Sequence, residues 1–189
     1  MIRIGFYGSL EDIPGWQASL AGRLAAFEIV ELMSDQGAAC DVALVWAPPA
    51  NAFTRCPNLR GIIMQGQGVD HMMRDGTVPR DIPLVRLVDP DMANALSHWA
   101  ILNALDFWRD GALYRDQQAR RVWQHLPQRA ATGAKVGILG IGAIGSVIAR
   151  RFAALGFEVR GYARTEREID GVTCFAGPGQ LAAFAKGLD

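Results

Sequence analysis

Cysteine is scarce in this sequence. Its 189 residues contain three cysteines, Cys40, Cys56 and Cys174, which are widely spaced and include no CxxC pair. A disulfide framework is typically built from an even set of cysteines, and many structural zinc sites use CxxC pairs. The pattern therefore fits reduced core thiols in a cytoplasmic protein better than either alternative, and we expect no metal site.

Net charge and long apolar runs are lacking too. Lys plus Arg equals Asp plus Glu, at 19 each, so no global field favours nucleic acid or an anionic membrane. No stretch approaches the roughly 18 continuous apolar residues of a membrane span, and the first six residues are too short and too broken for a signal peptide. HExxH, GxSxG, P-loop lysine and acidic calcium-loop motifs are absent as well. We expect neither a nucleic-acid partner nor a membrane partner.

Short apolar segments alternate with helical patterns through the first 90 residues. Ile2, Ile4 and Phe6 alternate with other residues and predict a first strand, and a helix is expected from Asp12 onward. Further strands are predicted at residues 28–32, 41–46, 61–64 and 84–87. Nearly all-apolar strands that alternate with short helices are typical of a parallel sheet covered on both faces. The sequence therefore predicts an α/β unit of flavodoxin-like build.

A long helix is predicted next, from about residue 91 to 120, with Gly111 as an interruption. The polar, proline-containing segment 124–129 is the candidate linker, and a second strand–helix–strand unit begins at Ala134. We therefore predict a first domain over residues 1–130, which includes the long helix and the linker. A second domain is predicted over residues 131–189.

The second domain opens with a glycine-rich turn. An apolar strand at residues 135–139 leads into Gly140-Ile141-Gly142-Ala143-Ile144-Gly145, and an amphipathic helix follows. In a GxGxxG turn of this kind, Gly140 allows the tight turn, Gly142 lets backbone approach a pyrophosphate, and Gly145 lets helix and strand pack closely. We predict that all six residues bind a dinucleotide, as the first, incomplete part of a Rossmann domain. The alternative is a glycine turn that binds nothing.

The end of the next strand bears on which dinucleotide is bound. An acidic residue there would hydrogen-bond the ribose 2′-hydroxyl of NAD, but this sequence has Ala163, followed by Arg164 and Thr165. A guanidinium and a hydroxyl suit a 2′-phosphate, so we predict that NADP is preferred over NAD. The alternative is a solvated loop in which Arg164 and Arg167 accompany nearby glutamates.

A second glycine-containing loop, residues 65–71, directly follows a buried strand. Gly66 and Gly68 flank Gln67, which suggests exposed backbone N–H groups that can hold an anion such as a carboxylate. A turn that needs positive φ explains the glycines equally well, and the sequence alone leaves both open.

Taken together, these motifs resemble a known family. Pro57-Asn58-Leu59-Arg60, the loop from Gly66 to Asp70, and the fingerprint after a long helix are similar to the D-isomer-specific 2-hydroxyacid dehydrogenases. Residues 87–92, 123–127 and 137–140 resemble the glyoxylate/hydroxypyruvate reductase A branch in particular. The resemblance runs in order along essentially the whole chain.

The resemblance implies that residues 1–130 form the substrate domain. It implies that backbone around Gln67, Gly68 and Val69 binds the substrate carboxylate, and that Met92 lies near the cleft. Trp123 would sit on an arm that reaches a partner subunit, so a homodimer is expected for the full-length form. Two departures are Gln67, where Ala or Ser is common, and His98, where Glu is usual.

The implied activity is hydride transfer between the nicotinamide of NADPH and a small 2-oxo or 2-hydroxy acid. The family's catalytic Arg, Glu and His would lie beyond Asp189, so this chain contains no predicted catalytic residue and is expected to be inactive alone. His71, His98 and His125 do not match the catalytic position and are expected to be structural or surface residues. The alternative is a truncated remnant that binds nucleotide weakly or pairs with another subunit.

Overall fold

A computed structural model describes all 189 residues. They form two compact units, Met1–Val88 and Asp89–Asp189. The helix predicted from about residue 91 therefore packs within the second unit. The domain boundary predicted near residue 130 stays a prediction. None of the helices is both long enough and apolar enough to span a membrane.

Five parallel strands form the sheet of the first unit: β1 Ile2–Tyr7, β2 Phe27–Glu31, β3 Val42–Val45, β4 Gly61–Met64 and β5 Leu84–Arg86. Their order is β2-β1-β3-β4-β5, which is that of flavodoxin-like folds. The predicted fold class is thus confirmed for this unit. Because parallel strands are covered on both faces, their apolar runs made them recognisable in the sequence.

Two helices, α1 Ile13–Ala21 and α2 Asp70–Arg74, accompany this sheet, with short 3-10 turns at Leu10–Asp12 and Gly37–Ala39. Leu44 of β3 belongs to one apolar cluster, with Trp16 of α1. Its neighbours Ala43 and Val45 belong to another, with Met72 of α2. Successive strand residues point to opposite faces, so the two clusters cover the two faces of the sheet.

All three cysteines are free thiols in the structure. Cys40 and Cys56 are buried in the same cluster of the first unit, and Cys174 is half-buried. Burial, together with the neighbouring Cys56 thiol, raises the pKa of Cys40 to about 12. Because the thiolate is the reactive form of cysteine, this shift disfavours reaction at Cys40.

Three parallel strands form the sheet of the second unit: β6 Lys135–Leu139, β7 Glu158–Ala163 and β8 Val172–Ala176, in that order. The helices of this unit are α3 Pro90–Trp108, α4 Gly111–Ala119, α5 Ala143–Ala154 and α6 Leu181–Ala185, with a 3-10 turn at Pro178–Gln180.

The helix predicted over residues 91–120 is two helices, α3 and α4, and the break between them directly precedes Gly111, where an interruption was predicted. Asp110 at the break has φ of 55°, a left-handed conformation that interrupts the helical hydrogen bonds. Across the break, the Arg115 guanidinium donates to both carboxylate oxygens of Asp106, at 2.6 and 2.7 Å. This pairing also holds the pKa of Asp106 below its ordinary value.

Helix α3 packs against α5 in the second unit. Arg151 of α5 donates hydrogen bonds to the Asn94 side chain, at 2.8 Å, and to the buried Ser97 hydroxyl of α3. Nearby, Phe157 makes edge-on ring contacts with Trp108 and Phe152 at centroid distances of 5.8 and 5.5 Å. These contacts hold the C-terminal half of α5 against α3.

Acid should weaken the first unit through Asp41, which precedes β3. Its carboxylate accepts the Arg3 backbone N–H at 2.8 Å and lies 3.2 Å from Arg60 Nη2, and the Arg3 bond is the main reason that its pKa lies below the usual 3.8. A lowered folded-state pKa stabilises the fold above the unfolded-state value, and this stabilisation is lost as pH falls through the folded-state value. In the Asp41→Asn variant, the free energy of unfolding should therefore fall less steeply below about pH 4. Urea unfolding at a series of pH values measures this.

The control is Asp35→Asn. The Asp35 carboxylate is fully exposed and has only an ion pair at 3.6 Å with Arg55. Its removal should therefore leave the loss of stability at low pH unchanged. An Asp41→Asn variant that keeps the same acid slope as the unchanged chain contradicts the assignment.

Candidate functional site

The glycine turn of the second unit is tied to the strand beside it. β6 ends at Leu139, and Gly140 adopts φ of 97°, which a residue with a Cβ rarely tolerates. The backbone N–H groups of Gly140 and Ile141 both donate to the Tyr162 carbonyl oxygen in β7, at 2.8 and 3.1 Å. The path of the turn is therefore set by the adjacent strand as well as by its own glycines.

Helix α5 begins directly after this turn, with Gly142 as its N-cap. A Cβ on Gly145 would overlap the Gly140 carbonyl oxygen, so the helix approaches the turn more closely than any other residue type allows. Gly142 differs, because nothing lies within 4 Å of a Cβ built on it. Gly140 and Gly145 thus shape the turn, while Gly142 borders open space.

That open space is a groove of about 610 Å³ between the turn and the end of β7. Helix α5 points its N-terminus toward the turn, where free N–H groups and the helix dipole favour an anion. The structure brings together in this groove most of the residues predicted to bind dinucleotide. Its lining residues are Leu139, Gly140, Ile141, Gly142, Tyr162, Ala163, Arg164, Thr165 and Arg167.

Two arginines give the groove its charge. Arg164 and Arg167 are exposed and form no ion pair, and both line the groove together with Thr165. Glu166 and Glu168, their companions in the solvated-loop alternative, do not line it. The groove therefore presents cations without carboxylates, which suits a phosphate.

Gly161 lies against the glycine turn, although the sequence pattern did not point to it. It lies inside β7, and a Cβ on it would come within 2.7 Å of the Ile141 side chain. A glycine in a strand interior often marks a close approach of another chain segment, and this was the signal available in the sequence.

The glycine loop of the first unit lies between β4 and α2. Gln65 anchors it, because its amide Nε2 donates to the carbonyl oxygens of Tyr7 and Leu44 at 3.3 and 3.4 Å. Gly66 is buried against the Trp46 ring, which a Cβ would overlap. Neither Gly66 nor Gly68 has a positive φ, so the alternative that explained both glycines by positive φ is wrong.

The rest of this loop is open to solvent. Gly68 is exposed, and no group of the protein lies within 4 Å of a Cβ built on it. Gln67 and Val69 on either side are half-buried, and Val69 is the N-cap of α2. Met92 lies in the first turn of α3, in the second unit, so it shares no element with the loop.

No acid/base pair is present among the histidines. His71, His98 and His125 are all exposed, and none lies within ion-pair distance of a carboxylate. The structure also contains no group of three or more potential metal ligands. Trp123 is fully exposed.

Comparison with known proteins adds to this geometry. Residues 101–183 match the family model of the D-isomer specific 2-hydroxyacid dehydrogenase NAD binding domain. The chain is 34% identical to glyoxylate/hydroxypyruvate reductase A of Yersinia enterocolitica, and this match covers 98% of the chain and 61% of the relative. The chain thus spans about 61% of the length of that relative.

Solved structures show the same similarity. A D-isomer specific 2-hydroxyacid dehydrogenase from Xanthobacter autotrophicus, in complex with NADPH and MES, superposes with a TM-score of 0.87 at 30% identity, over 99% of this chain and 61% of that one. An NADPH-dependent glyoxylate/hydroxypyruvate reductase from Sinorhizobium meliloti, in complex with NADP and sulfate, superposes with a TM-score of 0.83 at 31% identity. That match covers 100% of this chain and 60% of that one.

Proposed function

Because this chain belongs to the D-isomer-specific 2-hydroxyacid dehydrogenase family, we propose that it forms part of an NADPH-dependent reductase for glyoxylate, hydroxypyruvate or a similar small 2-oxo acid. The family consists of NAD(P)-dependent oxidoreductases. In this proposal the first unit supplies the substrate loop, and residues 131–189 supply the first part of the nucleotide domain. Similarity to the reductases of Yersinia and Sinorhizobium supports the substrate class.

The proposal depends chiefly on one observation, which is the residue set at the end of β7. Ala163 stands where an acid would select NAD, and Arg164 and Thr165 line the same groove as the glycine turn. An arginine fork can donate two hydrogen bonds to a phosphate, and a hydroxyl can donate a third. Similar solved structures that contain NADPH or NADP further support NADP as the preferred cofactor.

The glycine turn would hold the pyrophosphate. The first N–H groups of α5 have no helical acceptor, so those of Ala143 and Ile144 are available to phosphate oxygens, and the lack of a side chain on Gly142 permits close approach. The bound nicotinamide supplies the hydride chemistry. The residues of this chain bind and orient the dinucleotide.

The substrate carboxylate would be held in the first unit by the loop at Gln67, Gly68 and Val69. Backbone N–H groups in such a loop bind an anion without a side-chain charge. Gln65 and the Trp46–Gly66 contact keep the loop in place. Met92 is proposed as a further substrate-binding residue.

We also propose that the protein forms a homodimer. Several large apolar side chains of the second unit are more than half exposed, as expected for a surface that another subunit covers. They are Trp99, Leu102, Phe107, Leu113 and Trp123.

Calorimetric titration of the chain with NADPH and NADH tests the cofactor proposal. We expect both to bind, with NADPH at least about tenfold tighter, since a charged hydrogen bond contributes roughly 1.5–3 kcal/mol. No binding, or tighter binding of NADH, contradicts the proposal. The substrate class is tested separately, by following NADPH oxidation with glyoxylate and hydroxypyruvate in any longer protein that contains this chain.

A further inference from the structure

Ile141 is the one residue of the glycine turn whose side chain enters the core. It is 1% exposed and belongs to the apolar cluster of the second unit. Its side chain occupies space that Gly161 of β7 leaves open. A Cβ on Gly161 would lie 2.7 Å from Ile141 Cγ2, 3.0 Å from its Cδ1 and 3.2 Å from Val172 Cγ1.

The same short piece of β7 also holds the backbone of the turn. The Ile141 N–H donates to the carbonyl oxygen of Tyr162, the residue directly after Gly161. Side chain and backbone of Ile141 are therefore both held by two consecutive residues of one strand. Because Ile141 lies between Gly140 and Gly142, its position determines where their backbone lies.

We propose that Ile141 and Gly161 form a positioning pair. Their contact determines how far the glycine turn lies from β7, and thereby where the backbone of the turn lies relative to the pyrophosphate of the dinucleotide. Gly161 does not line the groove, so it acts through Ile141. This inference rests on the proposed function, because it assumes that a dinucleotide occupies the groove.

The proposal follows from the stiffness of isoleucine. Its Cγ2 is attached directly to Cβ, so it moves away from a new atom only by rotation about χ1 or by displacement of the backbone. A β-branched side chain has few χ1 rotamers, and the surrounding core is packed too densely for a free rotation. A methyl group at position 161 must therefore displace the turn.

The test is a set of variants titrated with both cofactors. Gly161→Ala should weaken binding of NADPH and NADH by about tenfold or more, the affinity equivalent of a typical overpacking cost. The ratio between the two affinities should not change, because the pyrophosphate is common to both. Adding Ile141→Ala, which removes Cγ2, should restore binding to within about threefold of the Ile141→Ala variant, since the close pair is then gone. Adding Ile141→Val, which keeps Cγ2, should not restore binding.

Two controls separate positioning from general destabilisation. Gly179→Ala adds a methyl group where nothing lies within 4 Å, and it should leave binding unchanged. Phe152→Leu changes a buried core residue of the same unit that does not line the groove. It should lower the melting temperature without weakening binding at a temperature well below unfolding.

The outcomes are distinguishable. If the unchanged chain binds neither cofactor, the proposed function fails and the inference fails with it. If the unchanged chain binds and Gly161→Ala binds equally well, only the positioning pair is refuted. A loss that Ile141→Ala does not rescue, or an equal loss in Phe152→Leu, also overturns the positioning role and leaves the proposed function intact.

Discussion

Gly142→Val should abolish dinucleotide binding, with an expected loss of about 100-fold or more, or roughly 2.7 kcal/mol. The valine side chain would project into the open space beside the glycine turn, where the pyrophosphate is proposed to lie. Nothing in the protein lies within 4 Å of a Cβ at this position, and φ is −80°, outside the left-handed region that favours glycine. The fold should survive, because the expected cost is the loss of a glycine N-cap, about 1 kcal/mol or less.

The measurement is calorimetric titration with NADPH, together with the melting temperature. Gly179→Val is the matched control, because it adds the same atoms in open space away from the groove. Gly145→Ala provides the contrast, since its Cβ would overlap the Gly140 carbonyl oxygen, so stability and binding should fall together. Unchanged affinity in Gly142→Val would show that the dinucleotide does not lie against this turn.

Arg164→Ala should weaken NADPH binding by roughly 10- to 150-fold, which corresponds to one lost charged hydrogen bond. NADH lacks the 2′-phosphate, so its affinity should change by less than about twofold. Arg164 lines the groove, is exposed and forms no ion pair. Removing it therefore leaves no buried partner unsatisfied and should not destabilise the fold.

Arg150→Ala is the matched control. Arg150 is an exposed arginine of α5 that does not line the groove, so its loss removes the same charge from the second unit without touching the ligand. Arg164→Ala and Gly161→Ala should behave differently, since only the former changes the ratio of the two affinities. Equal effects of Arg164→Ala on NADPH and NADH would refute the assignment of Arg164 to the 2′-phosphate.

The elements found most reliably from sequence are those whose signal is local. β3 and β4 are buried parallel strands, so their apolar runs stand out between polar segments. The glycine turn is likewise a contiguous motif between a strand and a helix, and the residues of the turn that line the groove are neighbours in the chain. No tertiary information was needed to recognise either.

The break between α3 and α4 was predicted only in part, through the interruption expected at Gly111. The apolar spacing of residues 91–120 continues through the break, because packing, and not propensity, determines whether a helix bends there. Asp110 takes a left-handed conformation and the Asp106–Arg115 pair spans the break. Neither feature has a periodic signature. The glycines of the first loop were equally ambiguous, and only the position of Trp46 shows why Gly66 must be small.

The sequence by itself determined the α/β class, the family resemblance and the place of the dinucleotide fingerprint, because each depends on residues close together in the chain. The tertiary structure alone decided which distant atoms meet. The contact between Ile141 and Gly161 exists because β7 lies beside β6 in a particular register, which places the middle of β7 against the glycine turn. Strand register and side-chain packing involve segments that are far apart in sequence, so no local pattern contains them.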